Sequence, residues 1–206
     1  MDPESQESGI AADLSPWRNS LKPTGKAAAS LKLAADGMSD YIIVVPSKPT
    51  AQEEKASELV QHWIEQISGV QLPIVADSEP GHSHEISIGQ TRRLAAVPAV
   101  AKPSDLGEEG YQLAVQENHL LLVGGTRRGP LNAALALLEE DLGCRWYTPK
   151  AHRVDKQSRL EVEIVPRRFV PALSLRDPFV FDAFDGTWSL MNRTNSHAAP
   201  VPEDLG

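Results

Sequence analysis

Cysteine is nearly absent from this chain: Cys144 is the one cysteine in 206 residues. That excludes an internal disulfide and leaves the redox compartment open. Basic residues are scarce relative to acidic ones, 20 Lys and Arg against 28 Asp and Glu, for a formal net charge of -8 and a pI near 5.2. A chain with this balance is not built around nucleic acid, whose phosphates call for a basic face. Long apolar runs are missing too, and none approaches the roughly 18 residues of a membrane span. The amino terminus, MDPESQESGIAADLSPWRNS, has neither a basic start nor an apolar stretch behind it, so no signal peptide is read there. There is no internal repeat. What is present, 41% hydrophobic and 23% charged residues, is ordinary for a soluble globular chain. The length suits one domain, or one domain with a tail.

The strongest local signals lie between Tyr111 and Pro149. Tyr111, Leu113 and Val115 alternate with Gln112, Ala114 and Gln116, the period of a half-buried strand. Glu117-Asn118 reads as a two-residue turn, with Asn supplying the tolerance for positive φ. His119 to Val123 is continuous and apolar, as in a strand covered on both faces. Gly124-Gly125 breaks it, and Pro130 suits the first turn of a helix. Leu131, Ala134, Leu135, Leu138 and Leu142 then fall on one helical face, with Glu139, Glu140 and Asp141 mostly outside it. Gly143 is the stop.

Around this core the pattern is one of alternating strands and helices. Met1 to about Ala27 is rich in Ser, Pro, Glu and Lys, and reads as a disordered leader, residues 1–27. Ser30 to Ala34 reads as an edge strand with Asp36-Gly37 as its turn, and Tyr41 to Val45 as a buried strand. Thr50 and Glu53 form a capping box before a helical pattern that Gly69 closes. Leu72 to Ala76 and Glu85 to Ile88 are short strands, so strand–helix–strand order predicts at least one parallel pair. Arg159 to Val165 alternates as a last strand, and Pro166, Pro171 and Pro178 mark a connection in which Ala172 to Leu175 is one further strand candidate. The domain is therefore placed at 28–166, an α/β (α+β) unit with a mixed, mainly antiparallel sheet and its helices packed on it.

Most of the chemically suggestive motifs have a plainer reading. Gly124 to Gly129, GGTRRG, sits where backbone amides can hold an anion, yet it lacks the spacing of a phosphate loop and reads as a tight corner with two solvated arginines. His82-Ser83-His84 has no third ligand at metal-site spacing, so surface histidines are expected and no metal. Cys144 follows a helix end, where nothing lowers a thiol pKa, and reads as a packing residue. Trp146 and Tyr147 read as core or inter-domain packing rather than a sugar-stacking platform. Asn192-Arg193-Thr194 is a glycosylation sequon by pattern, with meaning only in a eukaryotic secretory setting.

The run GGTRRGPLNAALALLEEDLGCRWYTP, and within it Leu142-Gly143-Cys144-Arg145-Trp146-Tyr147, resembles the end of the amino-terminal domain of certain multidomain glycoside hydrolases. The resemblance covers roughly Ser30 to Ser196. It is to uncharacterised bacterial proteins whose first domain is similar to that of alpha-glucuronidases and to domain 2 of beta-hexosaminidases. It implies that residues 167–206 are a linker and the start of a catalytic (β/α)8 barrel. Arg176, Asp177, Trp188, Arg193 and Asn195 in that tail have the chemistry of a sugar site: arginine and carboxylate to fix hydroxyls or a uronate, and an indole as a flat apolar face. The resemblance implies Arg176 as the first ligand contact. No catalytic residue is assigned, because the two carboxyl groups a glycosidase needs, about 5 Å or about 6.5–9.5 Å apart, cannot be placed on this stretch.

The expectation is thus a non-catalytic accessory domain of a carbohydrate-active enzyme, inactive alone and without cofactor. Its partners would be an intramolecular barrel and, through the full-length enzyme, carbohydrate. The tail is expected to lack packed structure in the isolated chain. Relatives of this kind are often exported, so localisation stays open. The alternative is a stand-alone carbohydrate-binding or scaffold module. An enzyme in its own right has no supporting constellation. An exposed apolar patch at Trp146 or at Phe179–Phe184 marks the accessory domain, whereas a concave aromatic site marks the binding module.

Overall fold

Short runs of Val, Ile and Leu between turn residues become the strands of a central sheet in the computed structural model, which describes residues 19–97, 100–195, 202 and 205. Six strands form that sheet: β2 (Ile42–Val45), β3 (Ile74–Ala76), β4 (Glu85–Ile88), β5 (Tyr111–Gln116), β6 (His119–Gly124) and β10 (Arg167–Phe169). Their order is β10-β5-β6-β4-β2-β3. β3, β2, β4 and β6 run parallel, while β5 pairs antiparallel with both β6 and β10. Two smaller antiparallel ribbons complete the strands, β1 (Ala29–Ala35) with β9 (Arg159–Ile164) and β7 (Arg145–Thr148) with β8 (Ala151–Arg153). Across these three sheets four of the seven pairings are antiparallel. The fold is the mixed α+β class that the sequence predicts.

Two helices pack on one face of the sheet. α1 (Ala51–Ser68) starts at the Thr50/Glu53 capping box, with both reciprocal bonds present, and ends at Gly69 in the left-handed conformation. α2 (Gly129–Ala136) runs on into a π-helical turn, Leu137–Asp141, and Gly143 (φ 77) reverses the chain. Every residue of α2 is buried. It packs on β5, β6 and α1, and its π-helical continuation meets β9, so the helix is largely apolar all round rather than on one stripe, with Asn132 donating to the Glu109 carbonyl. The main core joins Ile43, Ile86, Leu113, Leu120 and Leu122 of the sheet to Val60 and Ile64 of α1, Leu131 and Leu135 of α2, and Leu31, Leu160 and Val162 of the ribbon. The opposite sheet face carries a smaller cluster of Leu106, Ala114, Leu121 and Val123. No helix among the described residues is long and apolar enough to cross a membrane.

The structure amends several local expectations. In the β5–β6 turn positive φ falls on Glu117 (φ 54), not on Asn118. Residues 145–153 form a hairpin, β7–β8, which no alternation in the sequence announces. Arg159–Ile164 is not the last strand: beyond Pro166 the chain enters the central sheet as β10, and residues 172–175 form no strand. Pro166, which has no amide to donate, lies in the two-residue break between β9 and β10, where the chain passes from the β1–β9 ribbon to the edge of the central sheet. Of the expected leader, residues 1–18 lie outside the described residues. Asn19 donates from Nδ2 to the Glu140 carbonyl at 2.6 Å and accepts a bond from Arg145.

At the carboxyl ends of β2, β3 and β4 the side chain of Asp77 ties three loops together. It is 6% exposed and accepts from Ser47 N at 3.0 Å, Ser47 Oγ at 2.5 Å and Arg92 N at 2.9 Å. Burial pushes its pKa upward, but these donors outweigh it and hold the carboxyl below its usual range. A depressed folded pKa contributes stability that is complete above the unfolded value of about 4 and disappears as pH falls through the folded value. Asp77→Asn should therefore lower stability at pH 7 by about 1–3 kcal/mol, because an amide group presents a donor to donors. The difference between the variant and the parent should shrink below pH 4, as read from urea midpoints at pH 7 and pH 3. Equal midpoints at pH 7 would remove Asp77 from this role.

Candidate functional site

The tail that the sequence marks for sugar chemistry is packed on the domain, contrary to the expectation of an unstructured segment. A 3-10 turn (Phe181–Phe184) leads into the short helix α3 (Gly186–Met191), which Asp185 caps by accepting the Trp188 amide at 2.8 Å. Ala183, Ser189, Leu190, Met191 and Thr194 are buried. The reason is charge as well as apolar burial, because the tail arginines meet acids of the domain.

Arg176, Arg193 and Asn195 come together at the neck of this segment. Arg176 N donates to Asn195 Oδ1 at 2.6 Å, Asn195 N to the Arg176 carbonyl at 3.1 Å, and Arg176 Nε to the Arg193 carbonyl at 3.0 Å. The Arg176 guanidinium also meets Glu109 and donates to the Leu173 carbonyl at 3.0 Å. Arg193 reaches Glu139, Glu140 Oε1 at 3.0 Å and the Tyr111 hydroxyl at 3.4 Å. Asp177 is exposed beside Arg176. Trp188 is half-buried on α3 with its Nε1 buried and without a hydrogen-bond partner. Asn192 of the sequon turns inward, donating to the carbonyls of Trp188 at 2.9 Å and Trp146 at 3.3 Å.

Residues the sequence reading passed over supply the other half of the cluster. Arg128 is buried, not solvated as the corner predicts: it faces Glu109 Oε1 at 3.3 Å and donates to the Thr194 carbonyl at 2.8 Å. Only Arg127 of the pair is exposed. Glu139, Glu140 and Asp141 are likewise drawn inward. Arg167 binds Asp141 through two nitrogens, at 2.6 and 3.2 Å, and Glu140 Oε2 at 3.0 Å. Burial raises the Asp141 pKa against the pull of Arg167, and burial beside Glu140 pushes the Tyr111 phenol up to about 12. One signal for this cluster was legible. Three consecutive acids at a helix carboxyl end oppose the macrodipole, so they require cations from elsewhere in the chain.

The arrangement holds charge and does not move protons, because each carboxylate in it faces a guanidinium. Among the described residues no group of three or more His, Cys, Asp or Glu is placed to hold a metal. His82 and His84 lie in a turn, where His82 Nδ1 is 3.3 Å from the His84 carbonyl. Burial pushes the Cys144 thiol up to about 12, which leaves it unreactive. A separate cavity of about 320 Å³ is lined by Arg92, Arg93, Val97, Gln116, His119 and Leu121. Arg93 is already spent on the fold: it pairs with the buried carboxylate of Glu85 at 2.8 Å and donates to the carbonyls of Asp77 and Glu79.

The specific box of the sequence has a structural explanation. Cys144 is buried, Arg145 bonds the Glu139 carbonyl at 2.6 Å, and Trp146 packs edge-on against Trp63 at 5.4 Å between centroids. Tyr147 is 54% exposed. The densest run of exposed apolar side chains among the described residues is on the tail: Leu173, Leu175, Phe179, Val180, Phe181 and Phe184 are all exposed, Phe179 and Phe181 by 90% and 91%.

No family model matches the sequence, and no curated protein matches it. Among solved structures, the GH20 beta-N-acetylhexosaminidase from Streptomyces coelicolor A3(2) is similar with a TM-score of 0.44 and 13% identity, over 73% of this chain and 26% of that one. A mutant Streptomyces plicatus beta-hexosaminidase in complex with the product GlcNAc is similar with a TM-score of 0.44 and 11% identity, over the same shares. The chain spans about a quarter of the length of either.

Proposed function

We infer that this chain is a non-catalytic supporting domain of a glycoside hydrolase, whose residues past β10 lead into a catalytic barrel. One observation carries the reading. Among the described residues, six of the eleven exposed large apolar side chains lie between Leu173 and Phe184, beside the neck of the tail, and Phe169 and Val170 lie just before them. Such a stripe is costly to leave in water and marks a surface that another element covers. The reading is supported further by the Leu142–Tyr147 box, which resembles the end of the amino-terminal domain of uncharacterised bacterial proteins, a domain similar to that of alpha-glucuronidases and to domain 2 of beta-hexosaminidases. In it Arg176, Asp177, Trp188, Arg193 and Asn195 border the sugar once the barrel is in place, with Arg176 and Arg193 already fixed by acids of this domain.

The test is the native gene product. A polypeptide several hundred residues longer than this 22.4 kDa chain, with turnover of aryl glycosides that the chain alone lacks, is expected. A native product of 22.4 kDa without glycosidase turnover would overturn the reading.

A further inference from the structure

We propose that Arg193 is a positioning residue that latches the neck of the 176–195 segment to the domain, so that the exposed Phe179–Phe184 face is held in one pose. The inference concerns this chain's own folding and stands whether or not a barrel follows.

The first observation is local geometry. The end of α3 is a left-handed helix stop in which the Thr194 amide bonds the Ser189 carbonyl at 3.0 Å and the Arg193 amide bonds the Leu190 carbonyl at 3.0 Å. The residue that turns left-handed in this motif is usually glycine, because a Cβ is disfavoured there. Here it is Arg193, with φ 57. Asp36 and Glu117 share this backbone in exposed turns, so the strain alone assigns Arg193 no role, and the contacts of its side chain decide.

The second observation is where that side chain goes. Its guanidinium leaves the tail and enters the acidic turn after α2, meeting Glu139 and Glu140, with Glu140 also held by Arg167 and by the Tyr111 hydroxyl. On the other side of the neck the Arg193 carbonyl takes Arg176 Nε, and the Thr194 carbonyl takes Arg128, while Arg176 and Arg128 share Glu109. The segment is thus a closed excursion whose two ends, Arg176 and Asn195, are bonded to each other and gripped from two sides. Charge-assisted bonds in a partly buried setting are the strong ones. The latch converts an otherwise mobile 20-residue excursion into a fixed surface.

Arg193→Gly separates the latch from the helix stop, since glycine relieves the backbone and deletes the guanidinium. Hydrogen–deuterium exchange on the 206-residue chain reads the result. In the parent, peptides covering 186–195 should be protected. In Arg193→Gly they should exchange at least about tenfold faster while peptides covering 119–124 are unchanged, because local opening is governed by local bonds. Unchanged or slower exchange at 186–195, or an unprotected tail in the parent, would overturn the latch. If Arg193→Gly loses protection throughout, Glu139→Gln decides: faster exchange confined to 186–195 supports the proposal, and none sinks it. Neither result depends on glycosidase activity, so failure here is distinct from failure of the hydrolase reading.

Discussion

Gly124→Ala should abolish folding. A methyl group built at Gly124 overlaps the backbone of Gly129 and Pro130. There β6 ends and the chain doubles back to start α2, so the obstruction is main chain and not the movable end of a side chain. Gly129 meets Gly124 from the other side, and Gly125 meets the Gly107 carbonyl. Relief would require moving α2, all of it buried, away from the sheet. The cost belongs with the rare substitutions of more than about 4 kcal/mol, a large part of a typical domain's stability. Soluble yield and the near-ultraviolet circular dichroism of Gly124→Ala check it, with Gly81→Ala as control. Gly81 has open space around its Cβ position and no left-handed backbone, and should behave as the parent does. A folded Gly124→Ala of parental stability would show that the corner is looser than described.

Trp63→Ala should cost about 3–5 kcal/mol, the range for removing a large buried aromatic. Trp63 is 8% exposed and meets three rings edge-on: Trp146 at 5.4 Å, His152 at 5.3 Å and His62 at 5.1 Å between centroids. It fastens α1 to the β7–β8 hairpin, so truncation leaves a cavity and also releases the hairpin. The readout is a shift of the denaturation midpoint, measured with Tyr147→Ala as a control that should stay within about 0.5 kcal/mol because its ring, 54% exposed, is largely in water. A loss under 1 kcal/mol for Trp63→Ala would mean that the hairpin is held by something other than these rings.

These two sites show how the sequence box and the glycine corner differ in legibility. The corner was readable as a corner, because paired glycines between a strand pattern and a proline-led helix have few other uses. Its contacts were not, because Gly107 and Gly110 belong to a loop with no periodicity. The box was recognisable as a pattern, but its physical role needed Trp63, 83 positions upstream by residue number. The hairpin it opens, residues 145–153, leaves no periodic trace in the sequence because only Trp146 in it is buried. A strand with one buried side chain has no alternation to detect.

Features governed by neighbours along the chain are legible without the fold. The Thr50/Glu53 cap, the stop at Gly69, the β5–β6 hairpin, the parallel pairing around α1 and the mixed class of the fold all follow from spacings of a few residues. Those spacings fix which groups can reach one another before any tertiary contact forms. The partner of each charge, by contrast, is set by tertiary packing. Arg128 and Thr194, Arg176 and Glu109, and Arg193 and Glu139 are 66, 67 and 54 positions apart. Read along the chain, none of these residues shows which opposite charge or carbonyl it meets. The folded chain excludes water, and an arginine or glutamate so buried has to find its opposite. That requirement draws the tail onto the domain and leaves the phenylalanines of Phe179–Phe184 facing out.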